Sequence, residues 1–215
     1  IAWHEWMTRN LYATRRYQDS IRAAADLVGL DSNGRPKKSL LIDQTNISSG
    51  NSVSPYEQDT QYAALWWASV IINSSQDGLL EMLNWFHIAD EIDHKKGLIA
   101  VSDKGQLQLK PVAKAHAFLT ESWLKNVKKI ENTSFEVDIL HSQNSSNSQL
   151  IGVNKSIRKH HMTVKLSKSC PAALRLRIFD AQSVVHDVDY SCTGETLSFN
   201  LPEQSIFKAD WKSVQ

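Results

Sequence analysis

Ser39-Leu40-Leu41-Ile42-Asp43-Gln44-Thr45-Asn46 is the stretch that decides the fold. Leu40, Leu41 and Ile42 form a continuous apolar run too short for a helix, which fits a strand buried on both faces, as strands of a parallel sheet are. The run opens into the Ser/Gly/Asn-rich stretch from Asn46 to Ser54. A long polar loop at the C-terminal end of a buried strand is where binding and catalytic residues collect.

Upstream, Ile1 to Trp6 reads as a strand end. Tyr17, Ile21, Ala24, Ala25 and Val28 then recur at helical spacing and stop at Gly29, a natural residue after a helix end. A turn-rich linker from Asp31 to Lys38 leads into the deciding strand. Downstream, Ser54, Pro55 and Glu57 form a capping-box pattern, and Tyr62, Leu65, Trp66, Ser69 and Ile72 form the inner face of one helix. Trp66-Trp67 falls inside that helix and reads as packing. Gly78 to Phe86 reads as a further buried strand, with His87 to Lys96 as its loop. Gly97 to Leu109 reads as a hairpin turning at Asp103-Lys104-Gly105. Pro111 starts a helix whose Val112, Ala115, His116, Leu119 and Trp123 share one side. This alternation is that of βα units around a parallel sheet.

From about Thr133 the period changes to strict alternation, in Phe135-Glu136-Val137-Asp138-Ile139, Met162-Thr163-Val164-Lys165-Leu166 and Leu174-Arg175-Leu176-Arg177-Ile178. Short alternating strands separated by turns imply an antiparallel β-sandwich. The expected fold class is therefore α/β plus all-β: three βα units of an incomplete TIM (β/α) barrel over 1–130, then a sandwich over 131–215. A whole barrel takes about 250 residues.

Composition narrows the function. Lys plus Arg total 24 against 23 Asp plus Glu, a net charge of +1, so no global field attracts nucleic acid. No apolar run is long enough to span a bilayer, and Ile1-Ala2-Trp3-His4-Glu5 carries neither an initiator methionine nor a signal-peptide pattern. This start reads as a cut within a longer chain. Cys170 and Cys192 could pair in an oxidising compartment. Asn-x-Ser/Thr sequons begin at Asn46, Asn73, Asn132, Asn144 and Asn154 and read as chance matches. His160-His161 would point to opposite sides of a strand, so no metal site is assigned. No phosphate loop or Ser/His/Asp order appears, and no cofactor is expected.

If the βα units share one barrel, the loops after their strands gather at one rim. The strand ends then present His4 and Glu5, Asp43 to Asn46, and Trp85 with His87, Asp90 and Glu91. The set resembles the end of a clan-A barrel glycosidase, most closely glycoside hydrolase family 39, the β-xylosidase and α-L-iduronidase type. Trp3-His4-Glu5-Trp6 is similar to that family's sixth strand, Leu41-Ile42-Asp43-Gln44-Thr45-Asn46 to its seventh, and Asn84-Trp85-Phe86-His87 through Asp90 to its eighth. Gly97-Leu98-Ile99, Lys110-Pro111 and Ala115-His116-Ala117-Phe118 are similar to the family's next strand and last helix. Ile151-Gly152-Val153-Asn154 and Leu201-Pro202-Glu203-Gln204-Ser205 are similar to the sandwich the family appends.

The resemblance implies a retaining hydrolase acting on a β-linked oligo- or polysaccharide, with the acid/base on a fourth strand before Ile1. It places the nucleophile at Gln44, where a neutral amide replaces the glutamate and cannot attack as a carboxylate does. A deliberate trap, a binding protein that lost its chemistry, and a displaced carboxylate at Asp43 are the competing explanations, with lost chemistry preferred. Alternation along a strand sends Asp43 away from Gln44 unless the strand is bulged. His4, Trp85, Asn46 and Asp90 are the candidate substrate-binding residues. His4 also suits a hydrogen-bonded structural role, Trp85 a place in the barrel core, and Asp90 and Glu91 a solvated loop. An interaction module with no sugar cleft is the alternative that sets the resemblance aside.

Overall fold

The computed structural model describes residues 1–6, 8–50, 54–91 and 94–212. Asn51 to Val53 of the Ser/Gly/Asn-rich stretch, and residues 92 and 93 of the loop expected after Phe86, lie outside the described residues.

The first half is built on a parallel sheet of β1 (Ala2–Glu5), β2 (Leu41–Thr45) and β3 (Met82–Trp85), in the order β1-β2-β3. Between β1 and β2 runs α1 (Arg16–Val28), whose Tyr17, Ile21 and Ala25 are buried at four-residue intervals. It ends at Gly29, where φ is 73°, a value that a side chain would strain. The strand expected over Gly78 to Phe86 is regular only over Met82–Trp85, with single backbone hydrogen bonds from the Glu81 N–H to the Leu40 carbonyl and from the Phe86 N–H to the Thr45 carbonyl at its two ends. Leu79 and Leu80 still pack against the core.

The single capped helix expected after Ser54 is two helices, α2 (Pro55–Asp59) and α3 (Gln61–Ser75). Ser54 starts α2 without a side-chain cap, and Glu57 pairs with Arg9 instead. Thr60 breaks the run with an extended backbone and caps α3 through its hydroxyl, which accepts from the Tyr62 N–H. Nor does α3 have one inner face: Ala63 through Ser74 are all buried. A helix apolar all round must be enclosed on every side. Here α1, the helix Pro111–Thr120 and the strands Val137–Gln143 and Asn147–Asn154 surround it.

β4 (Ile99–Val101) and β5 (Leu107–Leu109) form the expected hairpin, with Gly105 at positive φ in its turn. In α4 (Pro111–Thr120), Val112, Ala115, Phe118 and Leu119 are buried. Trp123 lies past the end of this helix rather than on its face, since the backbone turns out at Glu121 and Ser122 has φ 60°.

The second half is antiparallel. β6 (Asn126–Lys128), β7 (Val137–Gln143), β8 (Asn147–Asn154), β10 (Leu174–Phe179), β11 (Val185–Asp187) and β14 (Ser205–Lys212) make a six-stranded sheet in the order β11-β10-β14-β8-β7-β6. β9 (His160–Lys165), β12 (Ser191–Thr193) and β13 (Thr196–Leu201) make a three-stranded sheet in the order β12-β13-β9. β6 lies upstream of residue 131 and already belongs to the larger sheet.

Two cores result from this layering. Leu140, Ile151, Val153, Phe179 and Ile206 on one face of the six-stranded sheet join the helices. Val137, Ile139, Leu150, Leu176 and Phe207 on the other face meet Val164, Leu197 and Phe199 of the smaller sheet. Cys170 and Cys192 form a disulfide, Cα–Cα 5.7 Å, tying the segment after β9 to β12. Asn46, Asn73 and Asn154 are buried, so three of the five sequons cannot carry a glycan in this fold.

Candidate functional site

The end of β2 is bulged. Ile42 pairs with Trp3 and Gln44 with His4, so Asp43 is an extra residue against β1, and on the other side Asn84 alone spans the gap between Leu83 opposite Ile42 and Trp85 opposite Thr45. Ile42 and Thr45, three positions apart, are both buried toward the helices, and the Thr45 hydroxyl lies 2.6 Å from the Tyr17 hydroxyl of α1. Asp43 and Gln44 therefore occupy the stretch between two helix-facing residues. Strict alternation, which sends Asp43 away from Gln44, does not hold here.

On β1, Glu5 faces the helices. Its carboxylate accepts from the Ser20 hydroxyl at 2.6 Å and from the Trp3 indole at 2.8 Å. His4 points the other way, its side chain 59% exposed, with Nε2 3.8 Å from Asp43 Oδ1. The Gln44 amide has no hydrogen-bond partner among the described residues, leaving its donors and acceptor for something else. Asp43 is the carboxylate that these three strands bring to His4 and Gln44.

The other candidates hold the rim together. Asn46 is wholly buried. Its amide donates to the Lys96 carbonyl at 3.0 Å and to the Phe86 carbonyl, while its oxygen accepts from the Ile47 N–H and from Gln58 Nε2. Every polar atom of this side chain is spent on the protein, so Asn46 is a positioning residue in this structure rather than one presented to a sugar. Trp85 also departs from the platform reading. Its ring sits edge-on to Trp66 and Trp67 of α3, at 6.1 and 5.3 Å between centroids, and its indole donates to the Lys96 carbonyl at 2.9 Å. Asp90 is neither a ligand facing a cleft nor a solvated loop acid. Its side chain, 5% exposed, pairs with Lys110 at 2.8 Å and accepts from the Gly97 N–H at 2.9 Å. Gly97 is required at that contact, because a Cβ there would stand 2.3 Å from the Ala89 carbonyl carbon.

Aromatic residues that the candidate set omitted complete the rim. Trp6, just past β1, and Phe86, just past β3, meet edge-to-face at 5.8 Å across the end of β2, and the Lys96 ammonium lies 5.4 Å from the centre of the Trp6 ring. Trp6 was legible in Trp3-His4-Glu5-Trp6; Lys96 had no sequence signal. His160 and His161 part company, one toward Glu136 and the other toward Asn200. Among the described residues no group of three His, Cys, Asp or Glu could hold a metal ion. A separate cleft of about 1130 Å³ opens between the two antiparallel sheets, lined by His141, Lys165 and Trp211 among others, and includes none of the strand-end residues.

No family model and no curated relative matches the chain. Solved structures do. The catalytic domain of the family 30 xylanase C from Talaromyces cellulolyticus superposes with a TM-score of 0.65 at 14% identity, over 84% of this chain and 42% of that one. A bifunctional glucanase-xylanase from a metagenome library matches at 0.68 and 13% identity, over 100% of this chain and 41% of that one. The family 51 α-L-arabinofuranosidase from Bifidobacterium longum matches at 0.69 and 14% identity, over 98% and 52%.

The chain shares part of the fold of these solved glycoside hydrolases. Two of these three are named as members of families 30 and 51, where the motif resemblance named family 39. This chain spans about half or less of their length, so the fold is shared in part and no activity comes with it.

Proposed function

We propose that this chain is the closing part of a glycosidase-type protein: the last three βα units of a TIM barrel over 1–130, followed by an antiparallel β-sandwich over 131–215. The rim made by the ends of β1, β2 and β3 is its sugar site. His4, Asp43 and Gln44 line it, Trp6 and Phe86 supply apolar faces for a pyranose ring, and the ligand is an oligo- or polysaccharide. The observation that carries this reading is the β2 bulge, which puts Asp43 beside His4 and next to Gln44 at the end of the central strand. The glycosidase fold of the solved neighbours supports the substrate class.

In a retaining mechanism the Gln44 position holds the nucleophile and the acid/base comes from outside these strands. An amide there favours a second reading, a carbohydrate-binding or scaffold protein that keeps the cleft without the chemistry. The Gln44→Glu substitution in the protein that carries this chain separates them. Glycoside hydrolysis appearing in the variant supports a glycosidase site, and unchanged inertness with retained oligosaccharide binding supports the binding protein. If neither protein binds or cleaves an oligosaccharide, the sugar site is wrong.

A further inference from the structure

A strand edge with unpaired backbone groups is a template for a further strand, and β9 presents one. β13 covers one side of β9, and no described strand covers the other. Past the end of β9, the Leu166 N–H donates to the Glu195 carbonyl at 2.7 Å and continues the β9–β13 register. Bonded pairs alternate along an antiparallel ladder, so His160, Met162 and Val164 exchange their backbone bonds with β13. The backbone groups of His161, Thr163 and Lys165 point to the open side, where no described backbone group meets them.

That edge is set in a cleft. The space of about 1130 Å³ between the two antiparallel sheets is lined by every residue of β9 from His160 to Lys165. Small-molecule pockets span about 300–1,000 Å³, so this one has room for a longer occupant. Val137, Ile139 and Leu150 of the larger sheet line it, and Val164 of β9 packs in the same core. His141 stacks on Trp211 at 6.0 Å, and its enclosed Nε2 has no hydrogen-bond partner among the described residues.

Charge narrows the occupant. Lys129, Lys165 and Lys212 line the cleft as exposed residues, and Glu131 is the one acid among the described lining residues. A strand laid beside β9 turns alternate side chains inward and outward. The inward set meets the apolar wall, and the outward set lies on the face of His161, Thr163 and Lys165, where an acid opposite Lys165 makes a favourable cross-strand pair. A second copy of this chain would bring another basic edge, since His160-His161-Met162-Thr163-Val164-Lys165 holds no acid.

We propose that the open edge of β9 takes up an extended segment of a partner protein in which apolar residues alternate with Asp or Glu. This surface is separate from the strand-end rim, none of whose residues lines the cleft.

The test is fluorescence anisotropy of labelled octapeptides with the protein that carries this chain. The peptides are alternating Val and Glu, alternating Val and Lys, and the Val–Glu peptide N-methylated throughout, which keeps its side chains and removes its donors. Thr163→Pro removes an N–H on the open side alone, a substitution that an edge strand accepts, and Lys165→Glu reverses the charge beside it. The wild type should bind the Val–Glu peptide and hold the Val–Lys peptide about tenfold more weakly or worse. N-methylation, Thr163→Pro and Lys165→Glu should each weaken the Val–Glu complex by about tenfold. Should Thr163→Pro disturb the sandwich, the N-methylated peptide tests the edge on the unaltered protein. No binding of the Val–Glu peptide, equal binding of the two charge forms, or full binding of the N-methylated form overturns the proposal. Wild-type dimers that Thr163→Pro dissolves would make the occupant a second copy and overturn it as well.

Discussion

Asp43 and Gln44 show how far one extra residue changes a site. Alternation is a sound rule for a regular strand, and the exception left open for Asp43, a bulge, is the case that applies, although nothing in Leu41-Ile42-Asp43-Gln44-Thr45 marks it. The feature becomes visible only when both neighbouring strands skip a residue at the same place. Asn46 is the complementary case. Its position after the strand was legible, but its role depends on carbonyls of residues 40 and 50 positions away, which no local pattern encodes. Truncation in Asn46→Ala leaves buried donors and acceptors unmade, each worth about 1–3 kcal/mol. Thermal unfolding should therefore show a loss of roughly 3 kcal/mol, and a variant as stable as the wild type would show that Asn46 does not hold the rim.

At the scale of elements, the helices and strands were largely readable, because their apolar spacing is set locally. α1 ends where Gly29 ends it, and β4 and β5 turn where Gly105 allows. The errors fall where an element's neighbours decide. Whether α3 buries one face or all of them depends on β7 and β8, which begin more than 60 residues after it ends. Trp85 was offered to solvent or core alike by its sequence, and it went to the core because its register partner, Thr45, faces α1 and the indoles of α3 wait on that side. Between α3 and α4, His116 Nδ1 accepts from the Trp67 indole at 3.0 Å, and burial lowers the imidazole's pKa. A base with a depressed folded-state pKa stabilises the fold fully above its unfolded value of about 6.5 and loses that contribution as pH falls toward the folded value. Unfolding midpoints should fall on acidification over that window. His116→Gln should flatten part of the slope, leaving the share of His141, which is shifted the same way. An identical slope in the variant would remove His116 from the account.

For the molecule as a whole, the two cores are joined by charge as well as by packing. Asp138 of β7, 1% exposed, accepts from Ser69 Oγ at 2.5 Å and Asn73 Nδ2 at 3.1 Å on α3, and pairs with Arg15 and Lys155. In sequence it reads as an ordinary polar position of an alternating strand. It is buried because the six-stranded sheet is covered on both faces, a fact of layering that alternation cannot express. Replacing it with a neutral amide strands the Lys155 ammonium, and breaking a buried pair costs about 3–5 kcal/mol. Asp138→Asn should lower stability by that order in denaturant titration, and a loss under about 1 kcal/mol would show that the joint is carried by apolar contacts alone. The strand-end rim gives this architecture its proposed purpose, and the most direct check is a crystal structure of the protein with a bound xylo-oligosaccharide. The sugar should lie within hydrogen-bond reach of Gln44 and His4, against Trp6. A sugar seated only in the cleft between the two antiparallel sheets, or none at saturating concentration, would contradict the account.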